Sequence, residues 1–430
     1  MASAALPAKA PTLRLTLWVL LFVYIFNFLD RQIVGILAEP IARDLDLSDG
    51  QIGVMTGLAF ALFYTVLGIP IARYADRPTS NRIAIISIAL TMWSGMTVLC
   101  GLAGNYWQML LARIGVGVGE AGCTPAAHSL ISDISPPEKR ASSMAFYALG
   151  IPIGSLLGMV IGGQLSDTIG WRLAFMVVGA PGIIMALFVW ILLKDPRAFR
   201  PTPEAQPKGS MADGIKSTFA AFREMCRSRA FVFVLIAGSA SSFLGYGKAL
   251  WTAIFFQRTH DLTAGETGLW LGLTAGVSGI IGTWAGGYFA DRFGQKDKRH
   301  ILTAPAIGMA LGAPLLFWAY NAEGWMMALV LIFIPTALNS LYLGPTYSSV
   351  QGLVPIKSRA LASAMILFFQ NLVGLGLGPL IFGMLSDWMK PQYGADSVRY
   401  VLYWAAWLGF IPAFFFWRAS LRLKTELQTG

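Results

Sequence analysis

Arg113, Glu120 and His128 fall within a single apolar run from Tyr106 to Ile131. A helix of that length, rising about 1.5 Å per residue, just crosses a hydrocarbon core of about 30 Å, where an ionisable side chain is costly and marks a function or a partner. Arg113, Gly117, Glu120, Thr124 and His128 recur at spacings of three to four, so they form one polar stripe along one helix face. A carboxyl group at that depth can carry a proton, and a guanidinium can clasp a carboxylate or phosphate through two parallel hydrogen bonds. The stripe therefore reads as the lining of a polar pathway. The competing reading is a structural ion pair joining two helices, and His128, near one end of the run, also suits a hydrogen-bonded packing residue.

Helices must hold this stripe in a membrane. Apolar residues make up 56% of the chain and charged ones only 13%, which excludes a soluble enzyme of 430 residues and identifies a polytopic all-α membrane protein. Lys9 and Arg14 precede the first apolar run, but no small-residue cleavage site follows, so this run is expected to remain as the first span, carrying Asp30 and Arg31. Further spans are expected near 51–72, 83–104, 106–131, 141–164 and 171–193, then near 230–257, 266–290, 301–320, 324–350, 360–385 and 398–418. Between them, 194–229 reads as a linker, with Pro196, Pro201, Pro203 and Pro207 followed by an amphipathic helix. The expected organisation is thus two six-helix bundles, 1–193 and 230–430, joined by that linker.

The net charge of +10 raises the question of nucleic acid. If both termini are cytoplasmic, 24 of the 32 Lys and Arg fall on that side, 5 on the other and 3 (Arg31, Arg113, Lys248) inside spans. This is the positive-inside pattern, and it accounts for the basic balance without any nucleic-acid partner. Cys100, Cys123 and Cys226 have neither metal-ligand spacing nor a paired framework, so no metal or other cofactor is expected.

The halves repeat each other. RYADR (Arg73 to Arg77) and YFADR (Tyr288 to Arg292) end the second and eighth spans 215 residues apart, GQLSD (Gly163 to Asp167) and GMLSD (Gly383 to Asp387) end the fifth and eleventh 220 apart, and PPEKRA at Pro136 echoes PIKSRA at Pro355. Asp76 and Asp167, on opposite membrane faces, mark an inverted three-helix unit nested within each half. Twelve helices in this layout specify a secondary transporter, with its site expected near the midplane between the halves.

Several stretches resemble the major facilitator superfamily and, within it, the spinster-like branch: FNFLDRQIVGILAEPI from Phe26, ADR from Ala75, RIGVGVGEAGCTP from Arg113, SDISPPEKRA from Ser132, GIPIGSLLG from Gly150 and GWRLAF from Gly170. Ala72 and Thr79 depart from the superfamily's usual glycines. The resemblance implies alternating access and proton-driven carriage of lysophospholipids or sphingoid-type lipids. It also implies a cytoplasmic gate built from Asp76, Arg77, Arg140, Asp291, Arg292 and Arg359.

Read from the residues, Glu120 and Asp30 are the candidate proton-coupling groups, with Arg31, Arg113, Thr124, Lys248, Tyr246, Asn339 and Tyr342 as candidate substrate contacts. Lys248 suits either a place on the path or a snorkelling position at the interface. FLD (Phe28 to Asp30) aligns with FLG (Phe243 to Gly245), so Gly245 and Tyr246 replace Asp30 and Arg31 in the copy, and the fold does not require those charges. The expected function is proton-coupled carriage of an amphiphile with an anionic or zwitterionic head; the alternatives are a carrier of small organic anions such as sugar or aromatic acids, and, less favoured, a membrane enzyme acting on lipid, for which no hydrolytic triad, metal cluster or kinase-like loop is visible. Partners are then the substrate, protons and lipids around a monomer, in a bacterial cytoplasmic membrane.

Overall fold

A computed structural model describes residues 12–199, 211–355 and 358–427, and these are helical with no strand. Among the described residues, nine helical stretches are long and apolar enough to cross a membrane. Two of them, Pro137–Leu192 and Leu361–Glu426, each hold two crossings, and one further crossing is broken in its middle, so the described chain crosses twelve times. The spans are Leu13–Ile36, Asp49–Ala75, Arg82–Gly101, a broken fourth (Tyr106–Glu120 and Cys123–Ile134), a fifth and sixth continuous through Gly150–Leu192, then Arg229–Thr259, Ala264–Gly294, His300–Asn321, a broken tenth (Trp325–Ser340 and Leu343–Gly352), an eleventh from Arg359 to Tyr393, and a twelfth from Ser397 to Glu426. The amphipathic linker helix is Met211–Met225, while Pro201, Pro203 and Pro207 lie outside the described residues. Large apolar side chains such as Trp190, Ile191, Trp284 and Trp388 stand exposed along the spans, as lipid-facing residues do.

Two features depart from the periodicity reading. The stretch from Tyr106 to Ile131 is not one helix but stops at Glu120 and restarts at Cys123. Pro125 cannot donate to the Ala121 carbonyl and crowds it, so the ladder breaks one turn earlier. The tenth span breaks at Leu341 for the same reason, through Pro345, which stands 220 residues after Pro125 as in the LSD repeat. Second, the fifth and sixth spans join without a loop because Gly170 turns the chain at φ 81°, in a conformation that penalises any side chain.

The chain clusters into two compact units that differ from the expected halves. Ser48–Leu58, the start of the second span, packs with the C-terminal half, and Thr263–Gly272, the start of the eighth, packs with the N-terminal half. Within the first unit, Gly150, Gly154, Gly158 and Gly162 of the fifth span lie against Tyr24, Ile25, Leu29 and Ile33 of the first, where a Cβ on Gly158 would meet the Leu29 carbonyl oxygen at 2.7 Å. Close helix packing through small residues is thus what this stripe encodes.

An ionic tie fastens the chain after the sixth span to that unit. The fully buried Arg82 donates from Nη2 and Nε to Asp195 at 2.6 and 2.8 Å and from Nη1 to Asp133 at 2.8 Å. Arg197 donates to Asp133 and to the carbonyls of Ala75 and Arg77. Burial pushes the Asp195 carboxyl up, but the Arg82 guanidinium and the amides of Arg197 and Arg82 outweigh it and hold it below the usual carboxylate range. Asp195→Ala should therefore cost about 3–5 kcal/mol by leaving Arg82 partly uncompensated, with Asp195→Asn costing less. Because the folded value is depressed, this contribution is complete above the unfolded carboxyl's value near about pH 4 and fades as pH falls through the folded one. Unfolding midpoints in detergent at neutral and acid pH check both expectations: the mutant deficit should shrink in acid.

Candidate functional site

The site assembles on the first, second and fourth spans of the first unit. Glu120 is fully buried at the last turn before the Pro125 break, and its Oε2 accepts from Arg31 Nε at 2.5 Å. Arg31 retains 17% side-chain exposure and lies over three aromatic rings, those of Phe28 and Phe60 at 5.0 Å and Tyr64 at 4.5 Å. Such rings stabilise a cation where water cannot. Arg113, 1% exposed, lies over the other side of the same cluster, 5.6 Å from the Phe60 ring. Phe60 is thus shared by both guanidiniums, and it is brought this close because Gly117 leaves room: a Cβ there would meet the Phe60 carbonyl oxygen at 2.7 Å. The glycines of Gly115 to Gly119 are packing residues, with Gly119 set against Trp93 in the same way.

Much of this polar cluster lacks a close hydrogen bond among the described residues: both carboxylate oxygens of the fully buried Asp30, Arg113 Nε and Nη1, Glu120 Oε1 and both amide atoms of Asn27 make none. Asp30 is within electrostatic reach of Glu120 and Arg113. Two acids and two guanidiniums make the group formally neutral while leaving donors and acceptors unspent, in a region where each unpartnered polar group costs several kcal/mol, roughly. Below it, Tyr24 stacks on the buried Tyr147 at 4.2 Å, and His128 meets the Tyr147 ring edge-on at 5.5 Å. His128 is exposed and packs on an aromatic, in keeping with the packing alternative, and Thr124 is half-buried beside this column.

The remaining predicted contacts belong to the second unit. Tyr342 bonds Ser242 through its hydroxyl at 3.2 Å, next to Tyr347, which donates to Gln370 at 2.9 Å. Tyr246 is exposed, Lys248 is half-buried, and Asn339 points its Oδ1 toward Gly312. By the repeat offsets, Gly245, Tyr246, Phe333 and Ser340 occupy the places of Asp30, Arg31, Arg113 and Glu120, so this unit carries a neutral counterpart of the charged cluster. Of the expected gate residues, Asp76, Arg77, Arg140, Asp291 and Arg292 are exposed and none pairs with another among the described residues. Arg359 donates to the Gln351 carbonyl.

A sequence profile of the Major Facilitator Superfamily matches residues 20–379. The chain belongs to that superfamily. It is 33% identical over 410 residues to an MFS-type efflux pump of Mycolicibacterium smegmatis, covering 95% of this chain and 93% of the relative, and 25% identical over 397 residues to human protein spinster homolog 1, covering 87% and 73%. A crystal structure of a bacterial homolog of the human lysosomal transporter spinster, inward-facing and unoccupied, superposes with a TM-score of 0.85 at 30% identity, covering 97% of this chain and 98% of that one. The protein is therefore a spinster-like transporter of the superfamily and not an enzyme.

In this transporter the aromatic cradle of Phe28, Phe60 and Tyr64 and the unpartnered Asn27 escaped sequence reasoning. Asn27 and Tyr64 had a signal as polar residues inside spans, but Phe60 had none, since an apolar ring at an apolar position announces nothing. Removing the Glu120 carboxylate alone would strand Arg31 beside its rings, so Glu120→Ala should lower stability by about 3–5 kcal/mol whereas Glu120→Gln, which retains an acceptor, should lose clearly less. Thermal unfolding of the two purified variants side by side checks the ranking; equal losses would mean that the pair contributes nothing beyond packing.

Proposed function

We propose that this spinster-like transporter carries an anionic amphiphile of the lysophospholipid or sphingoid type by alternating access, coupled to protons, in a bacterial cytoplasmic membrane with both termini inside. The observation that carries this reading is the buried cluster of Asp30, Arg31, Arg113 and Glu120, in which Arg113 holds two unspent N–H donors. With both acids ionised the cluster is neutral. Protonating either acid leaves one guanidinium in excess, and an anionic head group then restores neutrality, so proton and anion assist each other in symport. If the head group instead displaces the proton by pairing differently, the same groups run antiport. The aromatic rings around Arg31 and the neutral polar groups of the second unit suit a ligand with an apolar body. The charge asymmetry of the loops supports the orientation.

A second reading, carriage of small organic anions or other metabolites, is favoured by the higher identity to the efflux pump. The cytoplasmic gate residues Asp76, Arg77, Arg140, Asp291, Arg292 and Arg359 are proposed to pair when that face is closed.

Proteoliposome uptake separates these readings. Lysophospholipid should accumulate intact in response to an imposed proton gradient, while Glu120→Gln should bind it with little pH dependence and fail to accumulate it. Gradient-driven accumulation by Glu120→Gln would move the coupling role to Asp30, and indifference to lysophospholipid beside uptake of an organic acid would favour the second reading. Arg113→Lys retains the charge but loses the planar fork, so affinity for the anionic head should fall at least about tenfold, equivalent to about 1.4 kcal/mol. Titration of the purified variant with lysophospholipid measures it, and wild-type affinity would refute the fork.

A further inference from the structure

Gln370 stands where the internal repeat has a glycine. Gly150, Gly154 and Gly158 of the fifth span recur 220 residues later in the eleventh as Gln370, Gly374 and Gly378. The two retained glycines still serve close packing: a Cβ on Gly374 would meet the Ser242 Cβ at 2.6 Å, and one on Gly378 would meet the Phe243 carbonyl oxygen at 2.6 Å. Gln370 instead opens a π-helical stretch, Gln370–Leu377, and π turns are rare and concentrate at functional sites. Tyr347 of the tenth span, at the same offset, takes the place of Ala127. At both places the first unit accepts a small residue, so the fold demands neither the amide nor the phenol.

The two side chains meet within the second unit. Tyr347 donates its hydroxyl proton to Gln370 Oε1 at 2.9 Å, and this is the phenol's one hydrogen bond among the described residues. A carboxamide oxygen carries no hydrogen, so the phenol's proton is committed and its oxygen is left with acceptor capacity alone. Gln370 is 5% exposed, while Tyr347 is half-buried in front of it, so a ligand reaches the tyrosine and not the glutamine. The far end of the carboxamide is enclosed: Nε2 lies 3.2 Å, and Thr346 Cγ2 3.5 Å, from where a Cβ on Gly238 would stand. Tyr342 alongside is tied in its turn to Ser242. All of these side chains are neutral, so the group they suit is neutral too; an ammonium would lie here without a counter-charge.

We propose that Tyr347 is a specificity-determining residue that accepts a hydrogen bond from a free hydroxyl of the substrate, and that Gln370 is a positioning residue that makes the phenol an acceptor by taking its proton. The ligand group is a hydroxyl beside an apolar chain, which a monoacyl glycerophospholipid carries and a diacyl one lacks. A fully esterified or etherified lipid brings only lone pairs to the phenol's lone pairs, with no proton between them. A site built to bond a hydroxyl rejects the analogue without it far more strongly than an apolar pocket rejects a change of size. This rests on the amphiphile reading and names the feature of the amphiphile that the second unit selects.

The test is titration of the purified full chain in detergent with oleoyl lysophosphatidate, its deoxy analogue and its methyl ether, which share chain and phosphate and differ at the free hydroxyl. Wild type should bind the parent at least about tenfold more tightly than either analogue, and Tyr347→Phe should bind all three within about twofold of one another. Gln370→Leu frees the phenol proton for the ether oxygen, so the preference over the methyl ether should collapse while the preference over the deoxy analogue persists. A Gln370 that merely packs would weaken all three by one factor and leave both ratios at wild-type values, which overturns its role, and equal wild-type binding of the three overturns the proposal as a whole. A measurement without ligand stands beside these and serves if Gln370→Leu fails to fold. The ultraviolet resonance Raman difference between wild type and Tyr347→Phe should carry the tyrosine doublet pattern of a hydrogen-bond donor, and the pattern of an acceptor or an unbonded phenol would overturn the commitment of the proton. Binding of none of the three lipids would refute the amphiphile reading and the hydroxyl preference with it, while the Raman result still decides the state of the phenol.

Discussion

A polar group inside a bilayer must find its partner within the protein, because water is not there to supply one. This constraint explains the arrangement of several buried polar groups in the transporter. Arg82 is threaded through two aspartates and a serine, Asp49 is met by a guanidinium and a hydroxyl, and the first-turn amides of the second and eighth spans are taken by carboxylates from distant sequence. Against that background the cluster of Asp30, Arg31, Arg113 and Glu120 stands out. It contains one short ion pair and, among the described residues, several buried charged-group atoms that make no hydrogen bond.

The same constraint separates two kinds of buried charge. Arg82 and Arg113 are both essentially buried, yet Arg82 spends its donors on protein acceptors, whereas two N–H groups of Arg113 remain unspent. Burial alone would rank them together. The unspent hydrogen-bonding capacity distinguishes them, and it agrees with the repeat, in which the second half replaces the site's charges by Gly245, Tyr246, Phe333 and Ser340 without losing the fold.

How much of this is legible in the sequence follows from what each feature rests on. The twelve crossings, the polar stripe of the fourth span and the duplicated halves rest on hydropathy, spacing and identity, and a one-dimensional reading recovers them. The break after Glu120 was equally available in Pro125, but a continuous apolar run outweighed a single proline in the reading, although proline is the residue that can veto a run. The Phe60 cradle and the Asp195 tie were not available, since each depends on which helix faces which, and a phenylalanine or a post-helix aspartate looks the same whatever lies opposite. The exchange of Ser48–Leu58 and Thr263–Gly272 between halves lies between these cases. Both helix starts and their glycines sit in plain view at the repeat offset, but the expectation that each half packs with itself gave no reason to compare them.

The internal repeat also makes the starts of the second and eighth spans similar without being equal. Helix starts and close-packing glycines come in pairs at the repeat offset, and each glycine is where two backbones touch. Charges carry no such requirement. A buried aspartate is stabilising only while its arginine remains, and losing both partners costs far less than losing one. The start of the second span has Asp49 paired with Arg258, while the start of the eighth has Ala264, and Arg43, at the place of Arg258, pairs with Glu39 on its own helix. The charged cluster shows the same outcome on a larger scale, with the full set in one half and neutral residues in the other. In both places backbone complementarity survives in duplicate and ionic chemistry survives once.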